Sequence, residues 1–461
     1  MRTTVRTKIG LGAAVLALGL CTAALACGES ALPTHNAIAE DPATARLAIA
    51  ALRAQGPAGL RWLMNTYAAD VERFTRGEAV ATDAERARWK RIGAAIDAVA
   101  AQKDAAMSGL FWYTDLEQAK AAARREGKPI LSLRLLGNLD TEFSCANSRF
   151  FRTVLYADGE VSKALRDRFV LHWQSVRPVP TVTIDMGDGR VICRTITGNS
   201  IHYVLDCDGR AIDALPGLYG AKAFLRGLDD AEREERALRE PAMDPAARAE
   251  QLAQWHAARA ASTEISWAKD LATVGAAGPA VAAAPAVARP AAMRAAPLAT
   301  AKAAAEVNLV RAVAPRFAAL EASTDDATWK KIAALPAHRE DAVLGAGSRA
   351  MVRMKHAAAG PSARAAGALS VGKRQQEDPV LRVVRSFERS VAEDTVRNEY
   401  GFHHKIHQWF AARAPETVEP ADVDALNEKV YAELFLTPSG DPWLGLAPED
   451  AYAALQGEGV R

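Results

Sequence analysis

The sequence predicts a multi-domain chain of the α+β/α class, in which one α/β domain is flanked by helical modules. Three observations predict it. A length of 461 residues allows roughly two to four domains. Helix and strand patterns alternate in only one stretch, residues 109–238, where Gly, Pro and Asp-Gly pairs punctuate short apolar runs. Elsewhere apolar residues recur every three to four positions, and an Ala/Pro-rich run interrupts the second half. Hydrophobic residues make up 49% of the chain but aromatics only 6%, so several modest cores are expected instead of one dense one. Charge is almost balanced, 57 basic against 55 acidic residues, which gives nucleic acid no electrostatic footing as a partner.

Residues 1–26 have the form of a signal peptide. Arg2, Arg6 and Lys8 form a basic leader, Ile9 to Ala26 is apolar and uncharged, and Ala24-Leu25-Ala26 offers a small-x-small cleavage site. Cys27 follows at once. Ala-Leu-Ala-Cys resembles the bacterial lipobox, which implies a lipid anchor at Cys27 and membrane attachment through it. Cys21 fits less well, because Leu20 precedes it where a small residue is wanted. The expected location is the periplasm or outer envelope, and the expected partners are other envelope proteins. Thiols in such a compartment pair or react. With Cys21 cleaved off and Cys27 acylated, Cys145, Cys193 and Cys207 remain, enough for one bridge and one free thiol.

Residues 27–108 read as a helical module, with amphipathic runs at Ala43 to Leu52 and Leu60 to Phe74 broken by Gln55-Gly56-Pro57. In residues 109–238 a helix from Leu116 to Glu126 stops at Gly127-Lys128-Pro129, and an apolar strand, Ile130 to Leu136, follows. Cys145 then opens a helix. Val161 to Arg168 is amphipathic, Phe169 to Trp173 is a short buried strand, and Asp188-Gly189 and Asp208-Gly209 mark two hairpin turns. Strands at Ile201 to Leu205 and Ala211 to Leu215 lead into a closing helix from Ala221; the strand pair around Asp188-Gly189 is an insertion before that final hairpin. Residues 239–300 start helical and become an Ala/Pro-rich spacer from Gly275 to Pro297. Residues 301–377 are a weakly helical connection. Residues 378–461 form a C-terminal helical module with helices over Val380 to Phe410 and Ala421 to Phe435, a turn-rich loop Thr437 to Trp443, and a short helix opened by Pro448.

The order of helix, Gly-Lys-Pro, apolar strand, cysteine at a helix start, antiparallel hairpin and closing helix resembles the thioredoxin superfamily over about residues 109–235. That resemblance implies a thioredoxin-like α/β domain and a reactive thiol at Cys145, where a helix N-terminus favours the thiolate. The family's Cys-x-x-Cys is Cys145-Ala146-Asn147-Ser148 here, so the attacking position is kept and the resolving one is serine. Cys145 and Ser148 are therefore the candidate catalytic residues of a monothiol thiol–disulfide exchange protein that resolves with an outside thiol. Two departures accompany the serine: Thr197 to Ile201 lacks the family's proline, and Phe143-Ser144 stands where a tryptophan is usual. A redox-inactive interaction scaffold, with Cys145 as a small buried residue, is the alternative. A disulfide from Cys145 to Cys193 or Cys207 is another. A Cys193–Cys207 bridge would instead follow if residues 191–197 and 201–207 formed a hairpin about Ser200.

His403 and His407 share one face of the C-terminal helix at the i, i+4 spacing that metal pairs use. No further Cys or His follows at useful spacing, and there is no Cys-x-x-Cys-His. Metal or haem binding through this pair is one reading and hydrogen-bonded histidines at a core are the other, and no metal ligand or cofactor is assigned. Asp422 with Asp424, and Glu449 with Asp450, read as helix N-terminal charges.

Overall fold

Side-chain caps start several of the helices. The computed structural model describes residues 31–78, 82–195, 198–239, 243–276, 320, 324–358, 379–412, 422–438 and 440–441. The leader, Cys27, most of the Ala/Pro-rich spacer and the segment opened by Pro448 lie outside them. Helices α1 (Ala31–Asn36), α2 (Pro42–Ala54), α3 (Pro57–Thr66), α4 (Ala68–Thr75) and α5 (Asp83–Ala100) come first. Asp41 caps α2, and Thr82 with Glu85 forms a capping box on α5. Leu52, Leu60, Leu63, Ile92, Ile96 and Val99 close a small core among them.

The α/β part opens with α6 (Leu116–Glu126), capped by Asp115 and ended by Gly127 at φ +64°. Strand β1 (Ile130–Leu136) is buried at every position. Then come α7 (Ala146–Phe150), a π-helical turn (Phe151–Leu155), α8 (Gly159–Arg168) and β2 (Val170–Arg177). Strands β3 (Thr181–Asp185) and β4 (Val191–Thr195) form a separate two-stranded hairpin. Strands β5 (Ser200–Leu205) and β6 (Ala211–Pro216) complete a four-stranded sheet of order β2-β1-β5-β6. Strand β1 runs parallel to β2, with Leu133 opposite Trp173, and antiparallel to β5, with Leu133 opposite His202; β5 and β6 are antiparallel.

The expected hairpin between residues 191–197 and 201–207 is not formed. Strand β4 pairs with β3, placing Cys193 opposite Thr183, while Cys207 follows β5 at the turn into β6. Cys145, Cys193 and Cys207 are free thiols, so none of the three considered bridges is present. The physical reason is burial. All six residues of β5 are buried, which requires a partner on each side, and β1 and β6 supply them.

Helices α9 (Ala221–Leu238) and α10 (Pro245–Thr273) follow, then α11 (Asp326–Ala333), α12 (Pro336–Asp341), α13 (Ala346–Ala358) and α14 (Pro379–Arg397). A π-helical turn (Asn398–His403) joins α14 to α15 (His404–Ala411), and another (Val430–Leu434) extends α16 (Val423–Lys429). Among the described residues the chain is thus mixed α/β, mainly helical with a small mixed sheet. The C-terminal helices lie on the sheet: Val391, Phe402, Tyr431 and Leu434 share one apolar core with Leu131, Leu133, Tyr203 and Val204. No described helix is long and apolar enough to cross a membrane.

Candidate functional sites

Cys145 sits where the chain leaves β1. Gly137, at φ +73°, makes the turn; a Cβ there would lie 3.0 Å from Val179 and 3.2 Å from the Ser144 backbone. The Cys145 amide then donates to the Leu136 carbonyl at 3.1 Å. Cys145 is the N-cap of α7, and its Sγ accepts the Ser148 amide hydrogen at 3.4 Å. The helix start and the proximity of the two candidate residues are therefore as the sequence suggested. The Ser148 hydroxyl, however, bonds the Ser144 hydroxyl at 2.6 Å.

The surroundings of the thiol favour its neutral form. Cys145 has no exposed surface, and burial pushes its pKa up, only partly offset by the Ser148 amide. Beside it, Tyr156 bonds His202 Nε2 at 2.6 Å, deep in the core. The loop before β5 is closed over by the C-terminal segment: Tyr431 donates to the Asn199 carbonyl at 3.1 Å, and the Asn199 amide donates to Thr437 Oγ1 at 2.9 Å. Arg177 adds bonds to the carbonyls of Pro438, at 3.2 Å, and Asp441, at 3.1 Å.

A second cluster gathers where β6, α10 and α15 meet. Asp213 on β6, His256 on α10, and His403 and His407 on either side of the π-to-α junction are all buried. His403 lies between two carboxylates: its Nδ1 is 3.1 Å from Glu399 Oε2, and its Nε2 is 3.0 Å from Asp213 Oδ1. Burial alone would depress its pKa, but Asp213 and Glu399 outweigh it and hold His403 up to about 10, a doubly protonated ring. The same ring keeps Asp213, which burial alone would raise, well below the usual carboxylate range. His256 is pushed down to about 4 by burial, and His407 is depressed by burial and by the nearby His403 charge. Both are neutral imidazoles. His256 Nε2 donates to the Ile212 carbonyl at 2.9 Å, and the two Nδ1 atoms of His256 and His407 face each other at 2.7 Å.

His403 and His407 thus do share a face, with ring centroids 4.1 Å apart, but their roles differ. His404 points elsewhere, to Glu264 at 3.2 Å. Asp422 caps α16 as the sequence suggested, whereas Asp424 pairs with the buried Arg134 at 2.8 Å. Sequence reasoning missed Asp213, His256 and Glu399. A lone acid inside the apolar run Ala211-Ile212-Asp213-Ala214-Leu215 was the available signal, since an acid there needs a buried partner. Glu399 also borders a cavity of about 300 Å³ lined by Arg226, Arg259, His338, Asp341 and Tyr400. Comparison with known protein families, with curated proteins and with solved structures returned no match to this chain.

Proposed function

We propose that residues 109–238 are the thioredoxin-like domain of an exported, lipid-anchored envelope protein, and that this domain is an interaction scaffold with no thiol–disulfide exchange activity. In favour of the fold reading are the β2-β1-β5-β6 order, the parallel β1–β2 pair joined through helices, the antiparallel β5–β6 hairpin and the closing α9. The scaffold reading rests on one observation: the Cys145 thiol is wholly enclosed, with the chain's own C-terminal residues over the adjoining loop. An attacking thiolate needs access and a lowered pKa; Cys145 has neither. The interaction surface such a scaffold offers includes the β3–β4 hairpin, which holds Ile184, Met186, Val191 and Ile192 toward solvent.

The test is alkylation of the full-length chain followed by peptide mass spectrometry. Cys145 is expected to stay unmodified under native conditions and to react in urea, while the partly exposed Cys193 and Cys207 react in both. Ser148→Cys is expected to gain no disulfide reductase turnover. Native labelling of Cys145, or mixed disulfides that disappear in Cys145→Ser, would return the protein to the monothiol exchange class.

A further inference from the structure

We propose that Asp213, His256 and His407 form a buried site for one divalent transition-metal ion of the zinc class, which ties α10 and α15 to strand β6. The three donor atoms lie within 4.8 Å of one another, and the residues are 1%, 0% and 0% exposed. They come from three elements far apart in sequence, so the fold itself has assembled the set. Two imidazole nitrogens and one carboxylate oxygen are a donor set that zinc accepts, whereas calcium and magnesium require oxygen alone. Three protein donors leave a fourth position for a small ligand such as water.

The hydrogen bonding around His256 and Asp213 points the same way. A carbonyl can only accept, so the bond from His256 Nε2 to Ile212 places the ring proton on Nε2 and leaves the Nδ1 lone pair facing the cluster. A carbonyl that accepts the other ring N–H is a usual outer support of a metal-ligating histidine. His407 presents its own Nδ1 to the same point, 4.0 Å from Asp213 Oδ1. Its Nε2 is buried and has no hydrogen-bond partner among the described residues. Asp213 is held in place by the Ala214 amide at 2.8 Å and by His403. His403, engaged by carboxylates at both nitrogens, is a positioning residue and not a ligand. The competing account is a metal-free hydrogen bond between the two Nδ1 atoms. The inference is independent of Cys145 and of the thioredoxin-like reading.

Elemental analysis of the purified full-length chain tests it, with the metal-depleted protein refolded in Zn²⁺ or Co²⁺ as the second arm. The expected result is about one equivalent of zinc per chain, together with a visible Co²⁺ spectrum of a nitrogen/oxygen-ligated ion. His256→Ala and His407→Gln should each lower occupancy at least tenfold, while Cys145→Ala keeps it. Stripping the metal from the parent should lower Tm by several degrees, and Zn²⁺ should restore it. This arm needs no variant and holds even if His256→Ala fails to fold. A parent protein that contains no metal and whose Tm and spectrum ignore Zn²⁺ and Co²⁺ would overturn the site in favour of the His256–His407 hydrogen bond. Undiminished metal in both variants would overturn it equally.

Discussion

A thiol sealed at a helix start acts as a small apolar side chain with a weak acceptor, and Cys145 is placed to do that. Its neighbour His202 makes the stronger electrostatic statement. Fully buried among Phe151, Tyr156 and Phe224, it has its pKa pushed down to about 3 by burial. The unfolded chain takes up that proton near the ordinary 6.5 and the folded one does not, so the unfolded state binds more protons between these values. The His202 contribution to stability is therefore complete above pH 6.5 and falls as pH drops toward 3, by about 1.4 kcal/mol per unit. Buried His172, also pushed down to about 3, adds the same sign. Urea midpoints at pH 6.5 and 5.5 should differ in that direction, since above 6.5 His403, held up to about 10, acts with the opposite sign, and the His202 ring signal in NMR should not titrate above pH 5. A His202 midpoint near 6.5 would contradict this. The sequence located Cys145 at a helix start because the apolar strand and the polar loop before it are local signals. It could not reveal burial, because the core that holds Cys145 gathers residues as distant in sequence as Tyr203 and Tyr431.

Elements were legible wherever local chemistry decides them. The bounds of α6 follow from Asp115 and Gly127, and the two Asp-Gly turns gave both hairpins. What local pattern could not decide was partnership. The run at 191–195 looked as strand-like as β5, and only the burial of β5 on both faces shows that it belongs inside the sheet. The hairpin outside it should accordingly be tolerant. Ile184→Thr and Val191→Thr, at positions 43% and 58% exposed, should shift stability by no more than about 0.5 kcal/mol. Leu133→Ala in the central strand should cost roughly 2–5 kcal/mol. Equilibrium urea unfolding compares them directly; a large loss from either Thr variant would mean the hairpin packs on something. At the end of β6, Gly217 adopts φ +74° with the Asn398 side chain 2.6 Å from where a Cβ would sit. Asn398 in turn donates to the Leu218 carbonyl at 2.7 Å. Gly217→Ala should destabilise by at least about 1 kcal/mol, from backbone strain and displacement of that amide together. An unchanged Tm would show that the turn can relax.

At the scale of the whole molecule, the C-terminal helices pack on the sheet and share its core with it. The sequence marked them as helical through their spacing, yet contained nothing to say which surface they cover. Arg134, in the middle of β1 and 1% exposed, is the charged residue that records the docking. Its guanidinium reaches Asp424 of α16 at 2.8 Å, while Asp424 itself is 63% exposed. Asp424→Ala should leave a buried cation short of its carboxylate and cost about 1–3 kcal/mol, with the Asp424 exposure setting the lower end. Limited proteolysis should then cut the C-terminal segment sooner than in the parent. Equal cleavage rates would show that the remaining contacts at Asn199 and Arg177 hold it unaided.

That docking also imposes a timetable. Strand β1 and the loop at Asn199 lack their final cover until the residues around Tyr431 have been made and delivered. Contacts of such long range are slow to form, because loop-closure entropy is lost before they stabilise anything. An emerging chain is therefore expected to carry uncovered apolar sheet surface until that segment arrives. Cys145 belongs to the same core as Tyr431, so its protection from alkylation during synthesis is expected to be complete only once that segment has docked.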